Sequence, residues 1–157
     1  MASEKDRPAP PQIRRMRSGD APRLAEILRD SPEAVNWIAA ETSTDTALAG
    51  TFILVSESPH EITGFLMARQ AADEAEILNL AVRRSHRRTG VASALFLAAL
   101  EQLRARKATR LFLEVRESNA PAIAFYQKHR FRQVGRRSGY YRQPDEAALV
   151  FERKLTG

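Results

Sequence analysis

Apolar and polar positions follow two different periods along this chain, and the change between them marks its elements. From Thr89 to Lys107 the apolar residues Ala92, Phe96, Ala99, Leu100 and Leu103 recur at helical spacing, with Arg104, Arg106 and Lys107 at the end where the helix dipole favours cations. Strand-like runs occupy Ile13–Arg17, Thr51–Glu57, Ile62–Arg69, Ala75–Val82, Arg110–Val115, Phe131–Val134 and Ala147–Lys154. The turn Ser58–Glu61 predicts an antiparallel hairpin between the second and third of these. Asp20 followed by Pro22 predicts a helix N-terminus, with that helix ending near Asp30. Ser31 and Pro32 predict another helix to Glu41, carrying Ala34, Val35, Ile38 and Ala39 on its apolar side, and Ala120–His129 a further one. The order β-α-α-β-β-β-α-β-α-β-β predicts a mixed α/β sheet, parallel in the middle and antiparallel outside.

Size narrows this to one domain. The chain has 157 residues, with 43% hydrophobic and 28% charged, which suits a globular core. Residues 1–11, rich in proline and charge, read as a disordered leader, and 12–157 as a single domain. There is no cysteine, and His60, His86 and His129 lack metal-ligand spacing, so no metal is expected. No apolar run approaches the roughly 18 residues of a membrane span, and no secretory signal is present, so a cytoplasmic protein with no membrane partner is expected. The net charge of +6 favours anionic partners.

The chemistry concentrates where Ile77–Val82 runs into Arg83–Arg88, Thr89, Gly90, Val91 and Ala92. A strand, a basic loop and a helix N-terminus in succession form a cradle of backbone N–H groups for phosphate, which Gly90 and Ala92 would leave open. Neither the P-loop nor the dinucleotide glycine pattern is present. Four arginines and His86 within six residues suit a ligand with several phosphates, such as coenzyme A. The charge run by itself would equally describe a solvated basic turn.

The segment Arg87-Arg88-Thr89-Gly90-Val91-Ala92 resembles the Arg/Gln-x-x-Gly-x-Gly/Ala signature of the GCN5-related N-acetyltransferases, the GNAT superfamily, whose strand order also matches. Ile77–Val82, the stretch from Leu113-Glu114-Val115-Arg116 to Phe125-Tyr126, and Tyr140-Tyr141 resemble the ribosomal-protein-alanine N-acetyltransferases of that superfamily. This likeness covers Ile77 to Leu155, about half the chain. It implies a GNAT fold, a mixed and mostly antiparallel sheet flanked by about four helices. It also implies transfer of acetyl from acetyl-CoA to a primary amine, foremost the N-terminal amine of a ribosomal protein. On the matching positions it implies that Leu80, Ala81 and Val82 present main chain to pantetheine and the acetyl carbonyl, that Arg88, Thr89, Gly90, Val91, Ala92 and Ser93 wrap the diphosphate, and that Arg87 also binds the cofactor. Asn119 would touch the cofactor, Glu114 would accept a proton and Tyr126 would donate one.

Several of these residues can also be read without the family. Glu114 interrupts the apolar run Leu111–Val115, where a charge is expensive unless paired with an arginine or functional. Asn119 and Tyr126 lie two helical turns apart, near one stripe, although a buried tyrosine is more often a core aromatic. Tyrosine near 10 against a thiol near 8.5 makes full proton transfer uphill by roughly 2 kcal/mol, so Tyr126 must be perturbed or must only hydrogen-bond the sulfur. An α-amine near 8 asks about 3 kcal/mol less of a base than lysine near 10.4.

Trp37 and the Tyr140-Tyr141 pair are candidate acceptor contacts or plain packing residues, and His86 and His129 read as surface residues. Arg130 stands where the family has glycine ending the helix, which predicts a C-cap without left-handed geometry. The rivals are an acetyltransferase of small amines or lysine side chains, and a non-catalytic basic module binding acyl-CoA or RNA. Direct nucleic-acid binding is disfavoured because no aromatics are interleaved with the arginines.

Overall fold

The computed structural model describes residues 10–31, 50–142 and 145–155. Its strands are β1 (Gln12–Arg15), β2 (Thr51–Glu57), β3 (Ile62–Ala71), β4 (Glu74–Val82), β5 (Arg110–Arg116), β6 (Arg132–Tyr141) and β7 (Glu146–Lys154). The helices are α1 (Ala21–Arg29), α2 (Val91–Ala105) and α3 (Ala120–Lys128). One sheet takes the order β1-β2-β3-β4-β5-β7-β6. All neighbours are antiparallel except β4 and β5, which α2 joins as a parallel pair. This is the expected mixed sheet. About four helices were expected and three fall among the described residues; the predicted Ser31–Glu41 helix lies outside them from residue 32 onward.

Each face of the sheet carries its own core. Phe65 and Met67 of β3 pack with Leu24 and Ile27 of α1, while Leu66 and Ala68 pack with Leu95, Phe96 and Leu103 of α2. Both faces of β3 are therefore covered, which is why Ile62–Ala68 is buried at every position rather than at alternate ones. No helix among the described residues is long and apolar enough to cross a membrane.

Three expectations change. Asp20 precedes α1, but its carboxylate turns back to the Arg17 N–H at 2.7 Å and the Arg14 guanidinium at 2.8 Å instead of capping the helix. Arg14 is the chief cause that holds the Asp20 carboxyl below its ordinary range. The strand expected at Phe131–Val134 runs on to Tyr141. Its polar residues show no alternation because it is the exposed edge of the sheet, and its register shifts at Gly135 and beyond Arg137.

Arg130, expected to forgo left-handed geometry, adopts it at φ 68°. Phe131 N–H reaches the Tyr126 carbonyl and Arg130 N–H the Gln127 carbonyl, both at 3.0 Å, so α3 ends in a Schellman motif. Lys107, at φ 66°, closes α2 through the equivalent bonds from Ala108 to Leu103 and from Lys107 to Arg104. In both places the two hydrogen bonds and the apolar contact outweigh the left-handed penalty of about 1–2 kcal/mol for a side-chain-bearing residue.

Candidate active site

The site originates in a local irregularity of β4. Met67 opposes Asn79 and Ala68 opposes Ile77, so Leu78 is an extra residue that bends β4. Parallel pairing with β5 stops at Ile77 and Leu113, and beyond it the two strands separate. The wedge between them is a cleft of about 320 Å³ walled by 77–82 of β4, 113–116 of β5 and the α3 residues Ala122, Phe125 and Tyr126.

Within β4 the peptide groups alternate in direction. The Arg83 N–H donates to Thr63 at 2.7 Å on the β3 side, so Ala81 also faces β3, where it opposes Phe65. Leu80 and Val82 consequently aim their peptide groups into the cleft. Of the three main-chain contacts expected, these two are oriented for a ligand.

At the upper end stands the N-terminus of α2. Gly90 is its N-cap at φ 87°, a conformation that glycine adopts without strain, and no heavy atom lies within 4 Å of where its Cβ would be. The first intrahelical bond runs from Ala94 N–H to Gly90 at 3.0 Å, which leaves the N–H groups of Val91, Ala92 and Ser93 in the unpaired first turn. Arg88 is exposed at φ 61°, and the Thr89 hydroxyl donates to the His86 carbonyl.

The four loop arginines divide. Arg83 turns to Glu26 and Glu61, each at 3.4 Å, and Arg87 lines the cleft while donating to Val82, Asp30 and the Ser31 hydroxyl. Arg84, Arg87 and Arg88 are all exposed, and of these Arg87 is tied back to the fold by the bonds just named. The charge run therefore combines loop-anchoring residues with residues that face solvent.

Glu114 points away from the α2–α3 core, because Leu111, Leu113 and Val115 take that side of β5. It lines the cleft and also a separate groove of about 430 Å³, shared with Arg69, Glu76, Phe112 and Arg137. Arg137 Nε lies 3.3 Å from its carboxylate, and the Tyr140 phenol is raised by its interaction with the same carboxylate. The arginine partner expected as one alternative is present, and the residue stands in the cleft wall. Since Arg137 is 60% exposed, their pairing is weak, on the order of 1 kcal/mol or less.

Tyr126 is buried against Phe125 and Phe131 and lines the same cleft. Burial pushes its phenol far above the ordinary value. Tyr141 also lines the cleft, with Arg116 4.2 Å above its ring, and burial with the nearby Glu114 charge pushes it up to about 12. Asn119 borders the cleft as well, but its side chain caps α3 by accepting from Ala122 N–H at 3.3 Å, a role the sequence reading missed.

His129 corrects another expectation. It is half-buried, its ring tilted against those of Phe96 and Phe125 with centroids 4.7 and 4.5 Å away, and with Nε2 3.2 Å from the Ser93 hydroxyl. Burial, with Lys128 and Arg153 nearby, lowers its pKa. Trp37 lies outside the described residues. No cluster of three or more potential metal-ligating side chains occurs among the described residues.

Residues 12–131 match the model of the Acetyltransferase (GNAT) family. The chain belongs to the GNAT family. It is 39% identical over 84 residues to the [ribosomal protein bS18]-alanine N-acetyltransferase of Haemophilus ducreyi, covering 54% of this chain and 58% of that protein. It is 37% identical over 75 residues to an N-alpha-acetyltransferase of Saccharolobus solfataricus, covering 47% of this chain and 45% of that one. The matched stretches thus span about half the length of these relatives. The crystal structure of the ribosomal-protein-S18-alanine N-acetyltransferase from Escherichia coli superposes with a TM-score of 0.81 at 25% identity, over 94% of this chain and 96% of that one.

Proposed function

We propose that this GNAT protein is an acetyltransferase that moves acetyl from acetyl-CoA to the N-terminal α-amine of a protein, with a ribosomal protein as acceptor. The observation that carries the reading is the place of Glu114, a carboxylate bordering both the β4–β5 cleft and the groove beside it. The named activities of the relatives support the acceptor class.

The residues suit acetyl-CoA. A side-chain-free N-cap leaves the first turn of α2 open to a diphosphate, with Arg88 through Ser93 around it and the positive helix end behind it. Leu80 and Val82 extend peptide groups along the wedge for the pantetheine amides and the acetyl carbonyl, Ala81 supports them through β3, and Arg87 holds the loop to the end of α1. Asn119 fixes the start of α3 beside the cofactor path.

Bound acetyl-CoA supplies an activated thioester, and the chain's residues arrange its aminolysis. Glu114 takes the proton released as the amine nitrogen bonds to the acetyl carbon, directly or through a water. The carbon–sulfur bond breaks and the electron pair leaves with sulfur. Tyr126, its acidity weakened by burial, stabilises that thiolate by donating a hydrogen bond rather than by giving up its proton. With a thiol pKa near 8.5 the leaving group is stable enough for this to suffice. Tyr140 and Tyr141 flank Glu114 and form the acceptor's side of the site.

A panel of short peptides with free and blocked N-termini, incubated with acetyl-CoA and read by intact mass, tests the assignment. Acetylation of free N-termini only is expected. Modification that persists on blocked peptides at lysine overturns it.

A further inference from the structure

Where the end of β7 meets three other elements, cations come together. Arg104 in the last turn of α2, Arg130 just after α3, Arg132 at the start of β6, and Arg153 with Lys154 at the end of β7 surround a hollow of about 290 Å³. None of these residues borders the β4–β5 cleft. We propose that this hollow is a second anion site that grips the phosphodiester backbone of RNA.

Glu152 is the hollow's carboxylate, and it is bound to Arg110 at 2.7 Å with its side chain only 5% exposed. No ion pair within 4 Å joins any of the five cations to a carboxylate among the described residues. Arg153 is half-buried: its guanidinium donates to the His129 carbonyl at 2.9 Å and lies 5.6 Å from the Phe96 ring. Burial, followed by the neighbouring Arg104 and Arg130 charges, lowers its pKa. These guanidinium groups repel one another in the free protein, and a multivalent anion would relieve that repulsion.

Helix dipoles account for only part of the cluster. A cation in the last turn of α2 is favoured there in any protein, but Arg132, Arg153 and Lys154 belong to strands. Arg130 holds a left-handed φ of 68° where glycine would close the same Schellman motif more cheaply. Lys107 closes α2 in the same way outside the hollow, so the conformation itself is helix termination; what Arg130 adds is a cation at the rim, where glycine would leave none.

The lining also selects the ligand. Apart from Glu152 it is basic, and its one apolar residue, Leu155, is 8% exposed, so a protein partner would find no aromatic or aliphatic anchor. Guanidinium forks match phosphate oxygens in pairs, and an RNA strand offers phosphates at regular intervals. No aromatic side chain lines the hollow for base stacking, so binding should follow charge and ignore sequence. For a ribosomal-protein acceptor this grip would hold the enzyme against the RNA beside its substrate, but the site itself does not depend on that assignment.

The test uses the full chain saturated with acetyl-CoA, so that the phosphate cradle at α2 is occupied, and a labelled mixed-sequence RNA of about 16 nucleotides read by anisotropy. Affinity should fall steeply from about 50 to about 200 mM salt. In the triple variant R104Q/R132Q/K154Q the slope of log affinity against log salt should shrink by about 2, at roughly 0.7 per lost phosphate contact. Acetylation of an unanchored peptide should stay unchanged, which separates this proposal from the catalytic one. Arg130→Gly should bind RNA more weakly while melting at a higher temperature, so its loss of binding cannot be attributed to unfolding. RNA affinity and slope unchanged in the triple variant overturn the proposal. So does poly-glutamate binding the wild type as tightly as RNA, which would identify an acidic protein partner instead.

Discussion

The two walls of the site are built by different means. On the side proposed for acetyl-CoA the work falls to main chain: a bulge at Leu78 parts two strands, and a glycine N-cap leaves a helix end open. On the side proposed for the acceptor it falls to side chains, with Glu114 beside Arg137 and Tyr140 of the exposed edge strand. A backbone site tolerates many side chains yet depends on a few conformations. A side-chain site keeps its backbone under substitution and loses its chemistry at once.

Breaking each wall should separate the two. The largest effect is expected at Glu114: Glu114→Gln should lower turnover on an N-terminal peptide by roughly 10²–10⁴-fold, with acetyl-CoA affinity by calorimetry unchanged. Gly90→Val should do the reverse. It forces a β-branched residue to φ 87° and places a side chain over the first turn of α2, weakening acetyl-CoA about tenfold or more, for a penalty of roughly 1–2 kcal/mol. Tyr126→Phe should lower turnover by roughly tenfold, the worth of one hydrogen bond of about 1.4 kcal/mol. Acetyl-CoA binding should persist, and the wild type should show no alkaline fall in rate below pH 10, because its phenol is raised.

Smaller effects sharpen the scaffold. Arg130→Gly should gain about 1 kcal/mol, or roughly 2–4 °C in Tm. His129 gives the mildest signal. Its folded pKa lies below the ordinary 6.5, so the unfolded chain binds the proton more readily. Its contribution is complete above pH 6.5 and declines as pH falls from there toward the folded pKa. His129→Gln should flatten the fall of Tm in that window.

Legibility in the sequence follows the same division. Helix α2, the parallel β4–β5 pair and the loop before Gly90 announced themselves, because buried elements carry strong periodicity and a phosphate cradle needs glycine and a helix start together. Glu114 stood out as a charge within an apolar strand. Strand β6 beyond Val134 did not, because an edge exposed to solvent on most of its length carries no burial pattern. The partners of Glu114 lie on that strand, and pairing between residues 23 and 26 positions apart has no local signature. The division of the loop arginines was hidden for the same reason, since Glu26, Glu61 and Ser31 reach them only through the fold.

Binding of a conjugate that joins coenzyme A through an acetyl bridge to the N-terminal nitrogen of a short peptide tests most directly whether cleft and groove form one continuous site meeting at Glu114. Such a ligand should bind on the order of 10²–10⁴-fold more tightly than coenzyme A alone, with a crystal of the complex placing the bridged nitrogen within hydrogen-bond reach of the Glu114 carboxylate. Equal affinity for the two ligands, with the peptide directed away from Glu114 into solvent, would contradict the account.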